Sequence, residues 1–408
     1  MEFKSDKLEN GLVIIGEINK SAKSAAVGFF VKTGSRDESE QINGVSHFLE
    51  HMLFKGTDKL SAHEVNEAFD RTGAQYNAFT SEENTVFYAA VLPEYLPEVT
   101  QLWTQLMRPA LRDEDFNIEK NVIKEEIAMY KDLPNYDVMD QCRTLHFDGH
   151  PCGNSVLGSV KSIDSLTAGQ MRGYFERRYA PNNMVLACAG NFDWDRMRSI
   201  AAESCGSWRR QDVERQIEDS RGSRKKQRYE KANLVREHIC LMSTGVSAQD
   251  PRRFAASLLG TIVGDDVGSR FFWALVDKAL AEAASMQFGA MDGTGVFSSY
   301  IRCSGDKVAQ VLDIVKGIFN DLARDGVTEG ELTKAKNKIL SALVIKNELP
   351  MGRLIDLGFN WTYLEKYQTI EDDVNAIKAV TVDDIRSLIE QFKPGDFTQL
   401  SLGPVRSN

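Results

Sequence analysis

The stretch "SAAVGFFVKTG" at residues 24–34, followed by "HFLEHMLF" at residues 47–54, decides how this chain folds. The first is an apolar run of strand length followed by a glycine-containing break, and such a run reads as a strand. The second has the length and spacing of a helix that packs on it. The same succession returns when "EHICLMSTGV" at 237–246 precedes the apolar helix "FAASLLGTIVG" at 254–264. Between these marks, "NTVFYAAVL" at 84–92 alternates as a strand, and residues 94–108 and 307–325 carry apolar side chains at helical spacing. The pattern predicts an α+β chain built from two copies of one unit, each with helices packed on a mixed or antiparallel sheet. A doubly wound nucleotide-binding sheet needs a glycine-rich turn after its first strand, and GxGxxG is absent.

A chain of 408 residues exceeds a single ordinary core, so two domains are expected. The charge-dense stretch "RRQDVERQIEDSRGSRKKQRYEK" at 209–231 has few large apolar residues and reads as an exposed linker. The division is therefore 1–210, a linker at 211–230, and 231–408. The net charge of -10 argues against nucleic-acid binding, which needs a basic face. It would suit basic peptides if the acid lines a cavity. No apolar run approaches the roughly 20 residues of a membrane helix, and the N-terminus does not read as a secretory signal, so a cytoplasmic location is expected. Cys142, Cys152, Cys188, Cys205, Cys240 and Cys303 show no CxxC spacing and read as reduced thiols.

His47, Glu50 and His51 interrupt the greasy helix. Residues four apart share a helix face, so the two imidazoles can address one point with Glu50 beside them, the arrangement of two zinc ligands and a base. A single buried histidine is ordinarily a hydrogen-bonded core residue. Three unsatisfied polar groups here would cost about 1–3 kcal/mol each, a penalty that a metal ion removes. HxxEH inverts the HExxH zinc-peptidase motif. A tetrahedral catalytic zinc takes three protein ligands and a water, so one more His, Asp or Glu must come from elsewhere. The segment "DEDFNIEKNVIKEEIAMYKD" at 113–132 supplies acids on a helix whose apolar side Ile118, Val122, Ile123 and Ile127 should mark. Glu119 and Glu126 lie seven apart on one face, whereas Glu125 reads as solvated. His63 is expected to be exposed, and His146 and His150 to be structural.

With these residues in view, the chain resembles the pitrilysin family of zinc peptidases, in its half-length, processing-peptidase-like form. The resemblance runs through "GVSHFLEHMLFKGT" at 44–57, "YNAFTSEENTVFYAAVL" at 76–92, "NVIKEEI" at 121–127, "HPCGNSVLGS" at 150–159 and "RYAPNNMVLACAGNFD" at 178–193. It implies one zinc ion per chain held by His47, His51 and Glu126, with Glu50 as general base and Glu119 as an auxiliary acid. It also implies αββα-type repeats forming half of a clamshell chamber that a second chain completes. Asn77, Ala78 and Phe79 match the strand where the family pairs with an extended peptide substrate. Some relatives carry a substrate-gripping Arg and Tyr in the second half. The matching positions in 268–295 are Val276 and Ala283, while Tyr300 and Arg302 follow in what reads as a sheet strand. A heterodimer whose other member supplies the grip, or a homodimer without it, is expected. Competing functional readings are a non-catalytic structural subunit of the same family and a small-molecule metallo-amidase.

Overall fold

The computed structural model describes residues 1–218 and 220–405. Six strands form the first sheet: β1 (Glu2–Lys7), β2 (Val13–Ile18), β3 (Ala25–Val31), β4 (Gln75–Thr80), β5 (Thr85–Val91) and β6 (Met184–Gly190). Their order is β1-β2-β6-β3-β5-β4, with β2 parallel to β6 and the other neighbours antiparallel. Five strands form the second: β7 (Lys226–Glu230), β8 (Glu237–Gly245), β9 (Ala283–Met291), β10 (Thr294–Cys303) and β11 (Thr398–Gly403). Their order is β7-β11-β8-β10-β9, again with one parallel pair, β7 with β11. Matching β2, β3, β4, β5 and β6 to β7, β8, β9, β10 and β11 reproduces order and direction in full. The expected duplication is thus written in the topology, with β1 as an addition to the first copy.

Side-chain alternation explains why β3 reads as continuously apolar. Ala25, Val27, Phe29 and Val31 enter one core, and Ala26 and Phe30 enter another on the opposite face. The first core is closed by the helix Val45–Leu53, which contributes Val45, Phe48, Leu49, Met52 and Leu53. The second is closed by the helix Pro350–Leu364 through Leu354 and Leu357. That helix lies close to the sheet because Gly358 has no side chain: a Cβ there would stand 2.1 Å from the ring of Phe30.

The compact units do not follow the division expected from the sequence. One comprises Met1–Ile127, Asn154–Gln216 and Leu343–Gln368; the other comprises Ala128–Gly153, Ile217–Ala342 and the stretch from Thr369. Each therefore holds a helix from the other half of the chain. In the second unit this is Pro134–Phe147, whose Val138 and Cys142 pack with Cys240, Met242, Leu400 and Leu402. Both exchanged helices follow a long helix, Asp113–Asp132 or Glu329–Asn347, and both start at a Leu-Pro pair, Leu133–Pro134 and Leu349–Pro350. Proline suits the first helical turn, where its missing N–H has no intrahelical partner to lose.

The presumed linker is also only partly one. Arg215 is half-buried against Asp37, with Nη2 2.7 Å from Oδ2, and it also donates to the Glu83 carbonyl at 2.6 Å. Residues 226–230 are β7. Charge density misled here because Arg215 meets fixed acceptors in the fold. Among the described residues, no helix is long and apolar enough to cross a membrane.

Candidate metal centre

His47 and His51 lie one turn apart on the helix Val45–Leu53, with ring centroids 4.7 Å apart. The helix Asp113–Asp132 is locked beside it by Phe116, which stacks on Phe48 at 4.8 Å and 10°, and by buried Ile123 and Ile127. Ile118 and Val122, expected on the same apolar side, are instead 64% and 45% exposed. The buried stripe is narrower than the sequence suggested, because Glu119 and Glu126 occupy the edge that faces the histidines.

Glu126 Oε2 stands 3.8 Å from His47 Nε2 and 3.5 Å from His51 Nε2. Ligand atoms of all three residues lie within 4.8 Å of one another, the one such group of His, Cys, Asp and Glu among the described residues. Zinc–ligand bonds of about 2.0–2.1 Å set tetrahedral edges of about 3.4 Å, so both distances suit a shared ion. Glu126 Oε2 is buried without a hydrogen-bond partner. Burial raises its carboxyl above the ordinary carboxylate range, against the charge of His51. His47 is 8% exposed, and burial with the neighbouring His51 charge pushes its pKa down to about 3, leaving a neutral imidazole able to coordinate. Burial also opposes charge on His51, yet the Glu119 hydrogen bond and the charges of Glu126, Glu119 and Glu50 prevail and raise it. The carboxylates of Glu126, Glu119 and Glu50 make the surroundings of these rings negative, and a donor set of two imidazoles and a carboxylate fits zinc.

Glu119 does not join the ligand triangle. Its Oε1 lies 2.8 Å from His51 Nδ1 and its Oε2 lies 2.5 Å from Lys55 Nζ. Although burial opposes ionisation, these two partners hold the carboxyl below its usual range. The resulting anion fixes the proton of His51 on Nδ1 and leaves Nε2 free to coordinate. Lys55 escaped the sequence reading; its signal was the four-residue step from His51.

Glu50 is partly buried, and burial raises its carboxyl above the usual range. Its Oε2 accepts a 2.6 Å hydrogen bond from Thr80 Oγ1 at the end of β4. Thr80, also missed in the sequence, ties the base to the strand carrying Asn77, Ala78 and Phe79. That strand is the free edge of its sheet, with Asn77 exposed, Ala78 buried and Phe79 half-buried against Phe359. A hydrogen bond to a charged group is worth about 1.5–3 kcal/mol, so Thr80→Val should lower kcat about tenfold or more with KM little changed. Thr80→Ser should restore the rate. Equal kcat for Thr80→Val and the parental chain would remove Thr80 from the site.

The remaining candidates lie elsewhere. His63 is exposed beside Glu67. His146 is buried with Nδ1 3.1 Å from Thr398 Oγ1, and His150 contacts the Glu218 carbonyl at 3.3 Å. Tyr300 is hydrogen-bonded to His238 at 2.8 Å and Arg302 is paired with Glu282 at 3.1 Å, so both serve the second sheet. Val276 lies in a wide helical turn, Phe272–Val276, and Ala283 opens β9.

Two imidazoles and a carboxylate around one point, with a carboxylate base beside them on an α+β scaffold, define the donor set of a zinc peptidase of the inverted motif. Comparison with known proteins agrees. Residues 13–160 match the family model "Insulinase (Peptidase family M16)" and residues 165–339 match "Peptidase M16 inactive domain". The uncharacterized zinc protease YmxG of Bacillus subtilis is 30% identical over 97% of both chains. The mitochondrial-processing peptidase subunit beta of Saccharomyces cerevisiae is 28% identical over 94% of this chain and 87% of its own. A protease from Helicobacter pylori shares the fold with a TM-score of 0.91 at 20% identity, covering 99% of each chain. The chain belongs to peptidase family M16.

Proposed function

We propose that this protein is a zinc-dependent peptidase that cleaves extended or unfolded peptides, with one ion held by His47, His51 and Glu126. The observation that carries this reading is the buried Oε2 of Glu126, which has no hydrogen-bond partner and faces two imidazole nitrogens. When bound, zinc supplies a Lewis acid that polarises the scissile carbonyl and acidifies the attacking water. Glu50 takes the proton of that water and returns it to the leaving amine, held in reach by Thr80. Glu119 and Lys55 keep the His51 ring in one tautomer and orientation. The free edge of β4 pairs with the peptide backbone, a contact indifferent to side chains, and so admits varied sequences.

Among the described residues, the second half of the chain adds no further group of candidate ligands, which agrees with the name of its family model. With Val276 and Ala283 in place of a guanidinium and a phenol, either a related second chain supplies the grip on substrate within a shared chamber, or a homodimer works without it. The intact ligand set and base weigh against a purely structural subunit. Incubation with a mixed peptide library tests the reading. Cleavage that a chelator abolishes and zinc restores is expected, for this chain alone or with a partner; cleavage unaffected by metal removal would refute it.

A further inference from the structure

The helix that carries the histidines begins at Gly44, with φ of 95°, and so has no capping side chain of its own. None would fit, since a Cβ there would come 2.7 Å from the Leu157 carbonyl oxygen. The exposed N–H groups of a first helical turn normally take a Ser, Thr, Asp or Asn cap. Here Glu38 reaches them from outside the helix. Its Oε1 accepts from the Ser46 amide at 2.7 Å, and its Oε2 accepts from the Gly44 amide at 2.7 Å and from Asn43 Nδ2 at 3.0 Å. Glu38 is 6% exposed. Behind it, Ser46 Oγ meets the Tyr174 hydroxyl at 2.8 Å, which meets Thr33 Oγ1 at 2.8 Å, and Arg178 Nε donates to that Thr33 oxygen at 3.0 Å.

Building on the zinc-peptidase reading above, we propose that Glu38 is a positioning residue for the metal site, clamping the first turn of the histidine helix and neutralising its positive end. His47 directly follows Ser46, so the amide that Glu38 holds is one residue from the first ligand. The N-terminus of a helix carries about half a positive charge, which opposes a cation bound next to it. An anion buried at that terminus cancels the repulsion where water cannot. Both oxygens face N–H donors, an arrangement that only the carboxylate satisfies, even though burial pushes this carboxyl up to about 7. Glutamine would present one oxygen and one NH2 group to the same donors, leaving an amide facing another donor.

The test uses the full chain as Glu38→Gln and Glu38→Asp, with zinc affinity measured by competition against a chromophoric chelator, alongside thermal melting and peptide kinetics. Glu38→Gln should bind zinc about tenfold more weakly or worse, the range seen when groups supporting a ligand are removed. Its kcat should fall with KM little changed. Glu38→Asp, which keeps the charge but is too short to span both amides, should fall between, and it carries the test if the glutamine variant does not fold. Parental zinc affinity in whichever variant folds, whatever its melting temperature, overturns the proposal. A parental chain that takes up no zinc would instead overturn the functional reading, and the proposal with it.

Discussion

Glu50→Gln should bind zinc as tightly as the parental chain and hydrolyse peptides about 10²–10⁴-fold more slowly, the usual contribution of a positioned general base. The side chain is not part of the ligand triangle, and its oxygen is engaged by Thr80. Glutamine keeps that hydrogen bond and the shape of the site, and loses only the capacity to take a proton. The pH profile follows from the same geometry. Burial raises the Glu50 carboxyl, and the base acts when deprotonated, so the rate should fall as pH drops through a value above the ordinary carboxylate range near 4.3. Zinc content by metal analysis and kcat/KM across pH check both points. Parental hydrolysis by Glu50→Gln would assign the base elsewhere.

Arg353→Met should destabilise the first unit by about 3–5 kcal/mol, the usual cost of leaving one member of a buried ion pair uncompensated. Arg353, on the exchanged helix Pro350–Leu364, holds Glu17 of β2 with Nε and Nη2 at 2.9 and 2.8 Å, and both side chains are almost wholly buried. The Tyr367 hydroxyl adds a 2.6 Å bond to the same carboxylate. Replacing Arg353 alone strands the Glu17 charge in the core, whereas Glu17→Met with Arg353→Met should recover most of the loss. A shift of the urea midpoint measures it. A cost below about 1 kcal/mol would show that the pair does not hold the helix on the sheet.

The contrast between these two sites shows what the sequence made legible. His47, Glu50 and His51 share one turn of one helix, so spacing alone revealed their common face. Glu119 and Glu126 could be placed on one face as well, but only the family resemblance assigned one as an expected ligand and the other as an auxiliary acid; in the structure Glu126 faces both imidazoles, while Glu119 contacts His51 and Lys55. Thr80 and Glu38 left no periodic trace, because neither lies on the helix that carries its partner. The Leu-Pro starts of the two exchanged helices were visible, yet nothing local says on which sheet such a helix will pack.

The sequence by itself determined the elements, the duplicated α+β plan and the residues able to hold a metal, since these depend on local periodicity and short spacing. Only the tertiary structure decided that each unit borrows a helix from the other half, that Arg215 and β7 belong to the fold, and that Lys55 and His51 share the carboxylate of Glu119. Such outcomes depend on burial and on charge pairs between residues far apart in the chain. A buried carboxylate finds its guanidinium or amide wherever the fold supplies one, and no local pattern records that partner.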